Sequence, residues 1–279
     1  MVSLLISLAI VTVALAVLVR WLEPRLAFFP FSGETETPRD FAVPFDAITI
    51  DTADGERLRA WRMTPPAPQA ARARVVYFHG NGGNLSNWSP ILAAIVRRGY
   101  AVFAIDYRGY GLSTGRPTEQ GLYRDVDASL KVAWPDIQTT TPIVYWGRSL
   151  GGAMAAYAAT VRKPDGVIVE AGFPSARSAI RGSPVLALLS LFASYRFPAA
   201  EFLARANVPV LMLHGDRDSI IPFALGRELF EQVPEPKTFV AIPGGDHNDA
   251  AAPDPAAYWA AIDRFVATLN QPVQKGSHQ

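Results

Sequence analysis

Residues Pro142 to Ala159 read Pro-Ile-Val-Tyr-Trp-Gly-Arg-Ser-Leu-Gly-Gly-Ala-Met-Ala-Ala-Tyr-Ala-Ala. Ile143 to Trp146 is a short apolar run with β-branched and aromatic members, which predicts a buried strand. The Ala-rich stretch from Gly151 onward favours helix. Between them lies Gly147-Arg148-Ser149-Leu150-Gly151, a G-x-S-x-G at the reversal from strand to helix. Its glycines remove the Cβ atoms that would clash where the two elements pack, and its serine is expected on a strained turn at the helix N-terminus.

Working outward, apolar strands are predicted at Arg74–His79, Ala101–Tyr107, Val167–Glu170, Val210–His214 and Thr238–Ile242. Helical patterns separate them near Trp88–Arg98, Gly121–Val132, Leu150–Arg162, Ala224–Gln232 and Pro255–Leu269, the last opened by Asp254-Pro255 as N-cap and first-turn proline. Such alternation means a mostly parallel sheet with helices on both faces, and right-handed crossovers place every strand's C-terminal end along one edge. Ile48–Thr52 and Leu58–Met63 flank Ala-Asp-Gly-Glu, a hairpin signal at the start of the domain.

Asp218, after the Val210–His214 strand, and His247, after the last strand, fall at the same sheet edge as Ser149. A serine hydroxyl needs a base to take its proton, and the base needs an acid to fix its tautomer, so these three form a candidate catalytic set. Asp216 and Asp246 are alternative acids that read better as turn or cap residues. For the oxyanion, the expected donors are the N–H groups of Leu150 and of Asn81 in His79-Gly80-Asn81-Gly82-Gly83-Asn84. That loop lacks the G-K-[ST] ending of a phosphate cradle. His79 and His214 read as structural, Arg148 as a salt-bridge residue or a head-group contact, and Asp106 to Gly111 as a turn beneath the site. Gly80, Tyr107, Phe173 and Leu188 are the candidate pocket residues.

The chain has 279 residues, 26 Lys and Arg against 25 Asp and Glu, and no cysteine. The charge balance argues against a nucleic-acid partner, and the absence of cysteine excludes disulfides and a thiol nucleophile. Val2 to Val19 carries no charge, Pro or Gly, and Trp21, Arg20 and Arg25 follow it. Eighteen residues at about 1.5 Å each reach roughly 27 Å, near the thickness of a bilayer core. A retained single-pass membrane anchor is expected over residues 1–22. A cleaved signal competes through Ala14-Leu15-Ala16, but no Lys or Arg precedes the apolar run. The arginine-bearing flank favours the cytoplasmic side for the catalytic domain. A Pro- and Phe-rich connector is assigned to 23–44, with Phe28, Phe29 and Phe31 either at the interface or packed on the domain. The domain itself is expected over 45–270 and a frayed tail over 271–279. Residues 172–207 are too long for one crossover, and apolar Val185–Phe192 reads as part of a small helical cap or as core packing.

These motifs resemble the α/β-hydrolase superfamily, and more narrowly the membrane-anchored Bem46 group related to the serine aminopeptidase-type (S33) hydrolase domain. The resemblance is carried by the apolar N-terminus, Arg25-Leu26-Ala27-Phe28-Phe29-Pro30, His79-Gly80-Asn81, Asp106-Tyr107-Arg108-Gly109-Tyr110-Gly111, Gly147 to Gly151, His214 to Asp218 and His247-Asn248-Asp249. It implies an α/β-hydrolase fold, Ser149 as nucleophile, Asp218 as acid and His247 as base, with no cofactor. The expected activity is hydrolysis of acyl ester or thioester substrates, lipid or acylated protein, by an enzyme held at the lipid bilayer. An S33-type aminopeptidase, with Glu170 or Asp106 holding the substrate amine, and a catalytically silent membrane-bound interaction module are the alternatives.

Overall fold

A computed structural model describes residues 1–65, 71–135, 140–180, 188, 190–249 and 253–270. Helix α1 (Val2–Ala27) stands clear of the domain for most of its length, and among the described residues it alone is long and apolar enough to cross a membrane. It runs five residues past the expected anchor boundary, through Pro24. It is followed by strand β1 (Phe29–Pro30), a 3-10 turn over Pro38–Phe41, and the hairpin β2 (Phe45–Asp51) and β3 (Arg57–Met63). Gly55 takes φ +89 in the hairpin turn, a conformation that the Asp54-Gly55 pair supplies without a Cβ penalty.

From there strand and helix alternate: β4 (Arg74–Phe78), the two-residue β5 (Gly82–Gly83), α2 (Leu85–Arg97), β6 (Ala101–Ile105), α3 (Glu119–Val132), β7 (Ile143–Arg148) and α4 (Leu150–Val161). Then come β8 (Gly166–Glu170), the single turn α5 (Ala176–Ala179), α6 (Ala199–Ala206), β9 (Val210–Gly215), α7 (Phe223–Gln232), β10 (Lys237–Ile242) and α8 (Pro255–Leu269). The main sheet has the order β10-β9-β8-β7-β4-β6-β3-β2, parallel except at the β2–β3 and β3–β6 pairings. Helices α3, α4, α6 and α7 cover one face and α2 and α8 the other, each side closing over its own apolar cluster. Along β4 the alternation is visible residue by residue, with Val76 and Phe78 in one cluster and Val75 and Tyr77 in the other.

Helix α6 revises the extent of the cap. Leu203 and the small residues Ala199, Ala200 and Ala206 bury against Ala-rich α4, so α6 is the ordinary crossover between β8 and β9. Of the expected 172–207 insertion, Ala199–Ala206 is therefore part of this crossover. Val185, Leu186, Ala187 and Leu189 lie outside the described residues.

The connector is a fitted part of the domain. Phe28 is buried, its ring 5.6 Å from that of Tyr195 and 6.2 Å from that of Phe197, whereas Phe29 and Phe31 are exposed. Burying one phenylalanine stabilises by about 1.5–3 kcal/mol. Just upstream, the buried Glu23 carboxylate accepts hydrogen bonds from the N–H and hydroxyl of Ser194 and from the N–H of Tyr195, at 2.6–3.0 Å. The root of α1 is thus clasped to the segment that precedes α6.

Candidate active site

Strand β7 ends at Arg148 and α4 begins at Leu150, leaving Ser149 alone to make the reversal at φ 54 and ψ −119. A side chain with a Cβ pays for this conformation, and it persists because the surroundings over-determine it. Ser149 N–H donates to Glu170 O at 2.8 Å, and Gly152 N–H donates to Ser149 O at 2.9 Å. A Cβ on Gly147 would lie 1.9 Å from Gly151 O, and one on Gly151 would lie 1.9 Å from Phe78 O. Glycine at both positions is what lets β4, β7 and α4 meet here. The Leu150 N–H, in the first turn of α4, has no partner among the described residues, so it stands open as a donor.

Asp218 lies just beyond β9 and His247 just beyond β10. His247 Nδ1 and Asp218 Oδ2 are 2.8 Å apart, and in the neutral tautomer that donates to this carboxylate Nε2 is the acceptor. The other carboxylate oxygen accepts from Ile220 N–H at 2.9 Å and Ile221 N–H at 2.7 Å. His214 Nε2, hydrogen-bonded to Ile221 O at 2.9 Å, also lies 3.3 Å from Asp218 Oδ2. Burial raises the Asp218 carboxyl, but the hydrogen bonds from His214, His247 and Ile221 outweigh it and hold the group well below the usual carboxylate range. Asp246 ties the loops together instead, accepting from Ser219 N–H, Ser219 Oγ–H and His247 N–H, while Asp216 accepts from Gly244 N–H.

One contact links the histidine loop to the serine turn. The Arg148 guanidinium, on the residue before Ser149, donates from Nη2 to the backbone carbonyl of His247. The same guanidinium lies over the Trp88 ring, 5.7 Å from its centroid, with Nε 3.9 Å from Glu170 Oε2. Arg148 is buried, so it braces the two loops and is not free for an anionic head group.

The loop after β4 packs against the serine turn, since a Cβ on Gly151 would also come 2.7 Å from His79 O. Each of its carbonyls is held: His79 O by Tyr107 Oη–H, Gly80 O by His79 Nδ1–H at 2.7 Å, Asn81 O by Tyr110 Oη–H, and Gly82 O by Trp88 Nε1–H. The Asn81 N–H has no partner among the described residues. Of the candidate pocket residues, Gly80 and Phe173 are buried at this edge. Tyr107 is fully buried with its hydroxyl bonded behind the loop, so it supports the floor. Leu188 is 63% exposed.

Asp106 and Glu170 are both occupied. Asp106 accepts from Leu85 N–H at 2.8 Å, beside His79. Glu170 accepts from Trp146 Nε1–H at 2.9 Å and from the Tyr258 hydroxyl, and is buried. Sequence reasoning missed the bracing role of Arg148 and Trp88; of its two readings for Phe28, Phe29 and Phe31, packing on the domain holds for Phe28 and exposure for the other two.

A fold of this order, with an unengaged N–H pair around a strained serine and an Asp–His couple at one sheet edge, defines an α/β-hydrolase. The family model "Serine aminopeptidase, S33" matches residues 69–207. The protein bem46 of Schizosaccharomyces pombe is 31% identical over 94% of this chain and 91% of its own length. A membrane protein of Saccharomyces cerevisiae, YNL320W, is 30% identical over 92% of this chain and 93% of its own. The chain belongs to the α/β-hydrolase superfamily and, within it, to the Bem46-like, S33-related family. Among solved structures, the Pyrococcus furiosus esterase Pf2001 superposes with a TM-score of 0.69 at 17% identity, covering 87% of this chain and 98% of that one, a likeness of fold.

Proposed function

We propose that this hydrolase is a membrane-anchored serine esterase or thioesterase, acting on acyl chains carried by lipids or proteins. In this reading Ser149 Oγ attacks the acyl carbonyl carbon and passes its proton to His247 Nε2, while Asp218 holds the imidazole by Nδ1. The Leu150 and Asn81 N–H groups receive the oxyanion. Collapse breaks the bond to the leaving alcohol or thiol, which takes the proton from His247, and water then releases the acid by the same route.

The observation that carries the reading is the Asp218–His247 hydrogen bond, in a loop braced by Arg148 to the strained turn of Ser149. The apolar α1 supports a bilayer location, as does the name of the yeast relative as a membrane protein. An aminopeptidase would need a free carboxylate for the substrate amine. Asp106 and Glu170, the candidates for that task, are buried, and one oxygen of each already accepts a hydrogen bond inside the protein. The test is turnover of p-nitrophenyl esters of rising chain length and of an acyl thioester, set against aminoacyl p-nitroanilides. Activity that grows from acetyl toward longer acyl chains agrees with the reading. An optimum at acetyl removes its lipid part, and faster cleavage of the anilides replaces it.

A further inference from the structure

The segment that follows α1 pairs with the loop that carries Asn81. Beyond α1, Phe29 and Pro30 pair in parallel with Gly82 and Gly83. Phe29 N–H donates to Asn81 O at 2.9 Å and Phe31 N–H donates to Gly83 O at 3.1 Å. In the opposite sense, Asn81 Nδ2–H donates to the carbonyl of Ala27, the last residue of α1, at 3.2 Å. Asn84 Nδ2–H reaches Phe31 O and Gly33 O at 3.1 and 2.9 Å. The continuation of the helix and the loop after β4 therefore form one small sheet, cross-linked by two asparagine side chains.

This pairing bears on the direction of a single N–H. Three glycines, at 80, 82 and 83, give the loop little stiffness of its own, so its shape depends on outside ties. His79 Nδ1–H fixes the peptide that bears the Asn81 N–H at its carbonyl end, Gly80 O. On the other side, residue 81 is fixed through its carbonyl by Phe29 and Tyr110 and through its side chain by Ala27. The strap is itself immobilised by buried Phe28, by the Glu23 clasp, and by the exchange of Gly33 N–H to Gly111 O and Gly111 N–H to Phe31 O.

We infer that residues 27–33, with Asn81 as their link, are a positioning element for the reaction: they aim the Asn81 N–H at the oxyanion, so the membrane helix supports turnover as well as location. The inference rests on the serine-hydrolase reading given above. Asn81→Ala removes the amide link and keeps the backbone donor. Phe31→Pro removes one strap N–H while keeping an extended backbone. Both are tested in the full chain, reconstituted in lipid nanodiscs, on a short soluble p-nitrophenyl ester. Losing an oxyanion donor costs about 10²–10³ in kcat, and mis-aiming one costs part of that. The expected result is a fall in kcat of about tenfold or more with KM within about twofold, together with a matching weakening of phenylboronic acid. That inhibitor's tetrahedral adduct on Ser149 presents the same oxyanion, so a general loss of packing would not move it in step with kcat. If one variant fails to fold, the other decides. Wild-type kcat and wild-type boronate affinity in a folded variant overturn the inference, as does a kcat loss without the boronate change. Fluorophosphonate labelling of the wild-type chain separates the two levels: a labelled wild type with insensitive variants defeats the strap alone, and an unlabelled one defeats the hydrolase reading with it.

Discussion

Replacing Asp218 with asparagine isolates the role of the carboxylate while keeping its shape. In the wild type one oxygen accepts from Ile220 and Ile221 N–H and the other from His247 Nδ1–H. Asparagine can satisfy one side only. With its oxygen toward the two backbone donors, its NH₂ group faces His247, and the imidazole responds by moving its proton to Nε2, where it can no longer accept one from Ser149. The opposite orientation restores the productive tautomer but points NH₂ at the part-buried Ile220 N–H and the buried Ile221 N–H. Each unsatisfied donor costs about 1–3 kcal/mol, so the productive arrangement lies roughly 2–6 kcal/mol above the unproductive one. At about 1.36 kcal/mol per tenfold, kcat falls between about 30-fold and 10⁴-fold. The loss of negative charge beside the imidazolium pushes the result toward the upper end. The assay is steady-state hydrolysis of p-nitrophenyl butyrate by the full-length protein, with near-ultraviolet circular dichroism to establish that the variant is folded. A folded Asp218→Asn protein within about threefold of wild type would refute the reasoning.

Other substitutions probe the frame around the site. Gly151→Ala sets a methyl 1.9 Å from Phe78 O and 2.6 Å from the Phe78 carbonyl carbon, so β4 and α4 must part; a loss of about 3 kcal/mol or more, read from urea unfolding, is expected. Glu23→Ala strips the Ser194 and Tyr195 donors of their charged acceptor and should cost about 2–3 kcal/mol, with Glu23→Gln costing less; equal thermal midpoints for all three proteins would contradict the clasp. The Asp218 carboxyl titrates lower in the folded than in the unfolded chain. Its contribution is therefore fully present above the ordinary carboxylate value near 3.8 and is lost as pH falls through the folded value. The stability gap between wild type and Asp218→Asn should narrow on acidification from pH 5 toward pH 3, where about one proton is taken up, and a constant gap would contradict the shift.

Much of this was readable because the sheet is parallel and its strands are buried on both faces. Ile143–Trp146 and Val210–His214 announce themselves as short apolar runs, and the rule that their C-terminal ends share an edge predicts Ser149, Asp218 and His247 on one rim, where the Asp218–His247 hydrogen bond is found. What escaped reading depends on contacts without periodicity. Two residues of β1 paired with two glycines of β5 leave no pattern in sequence. Phe28, Phe29 and Phe31 are chemically alike, and only the fold decides that the first is buried and the others exposed. Glu23 reads as an ordinary charge at the end of a membrane helix, yet its partners lie 171 and 172 residues away. The crossover helix α6 was hidden inside a segment that looked like one long insertion, because Ala199–Ala206 spans only eight residues and its buried face is mostly alanine. Arg148 could be read as a salt-bridge residue, but its bond to the His247 carbonyl could not.

The central claim, that Ser149 is a nucleophile activated by His247, is tested most directly by exposing the full-length protein to a fluorophosphonate and mapping the adduct by peptide mass spectrometry. The account predicts one stoichiometric adduct on Ser149, absent from Ser149→Ala and slowed strongly in His247→Ala. No adduct on folded wild-type protein, an adduct on another residue, or labelling that persists in Ser149→Ala would contradict it.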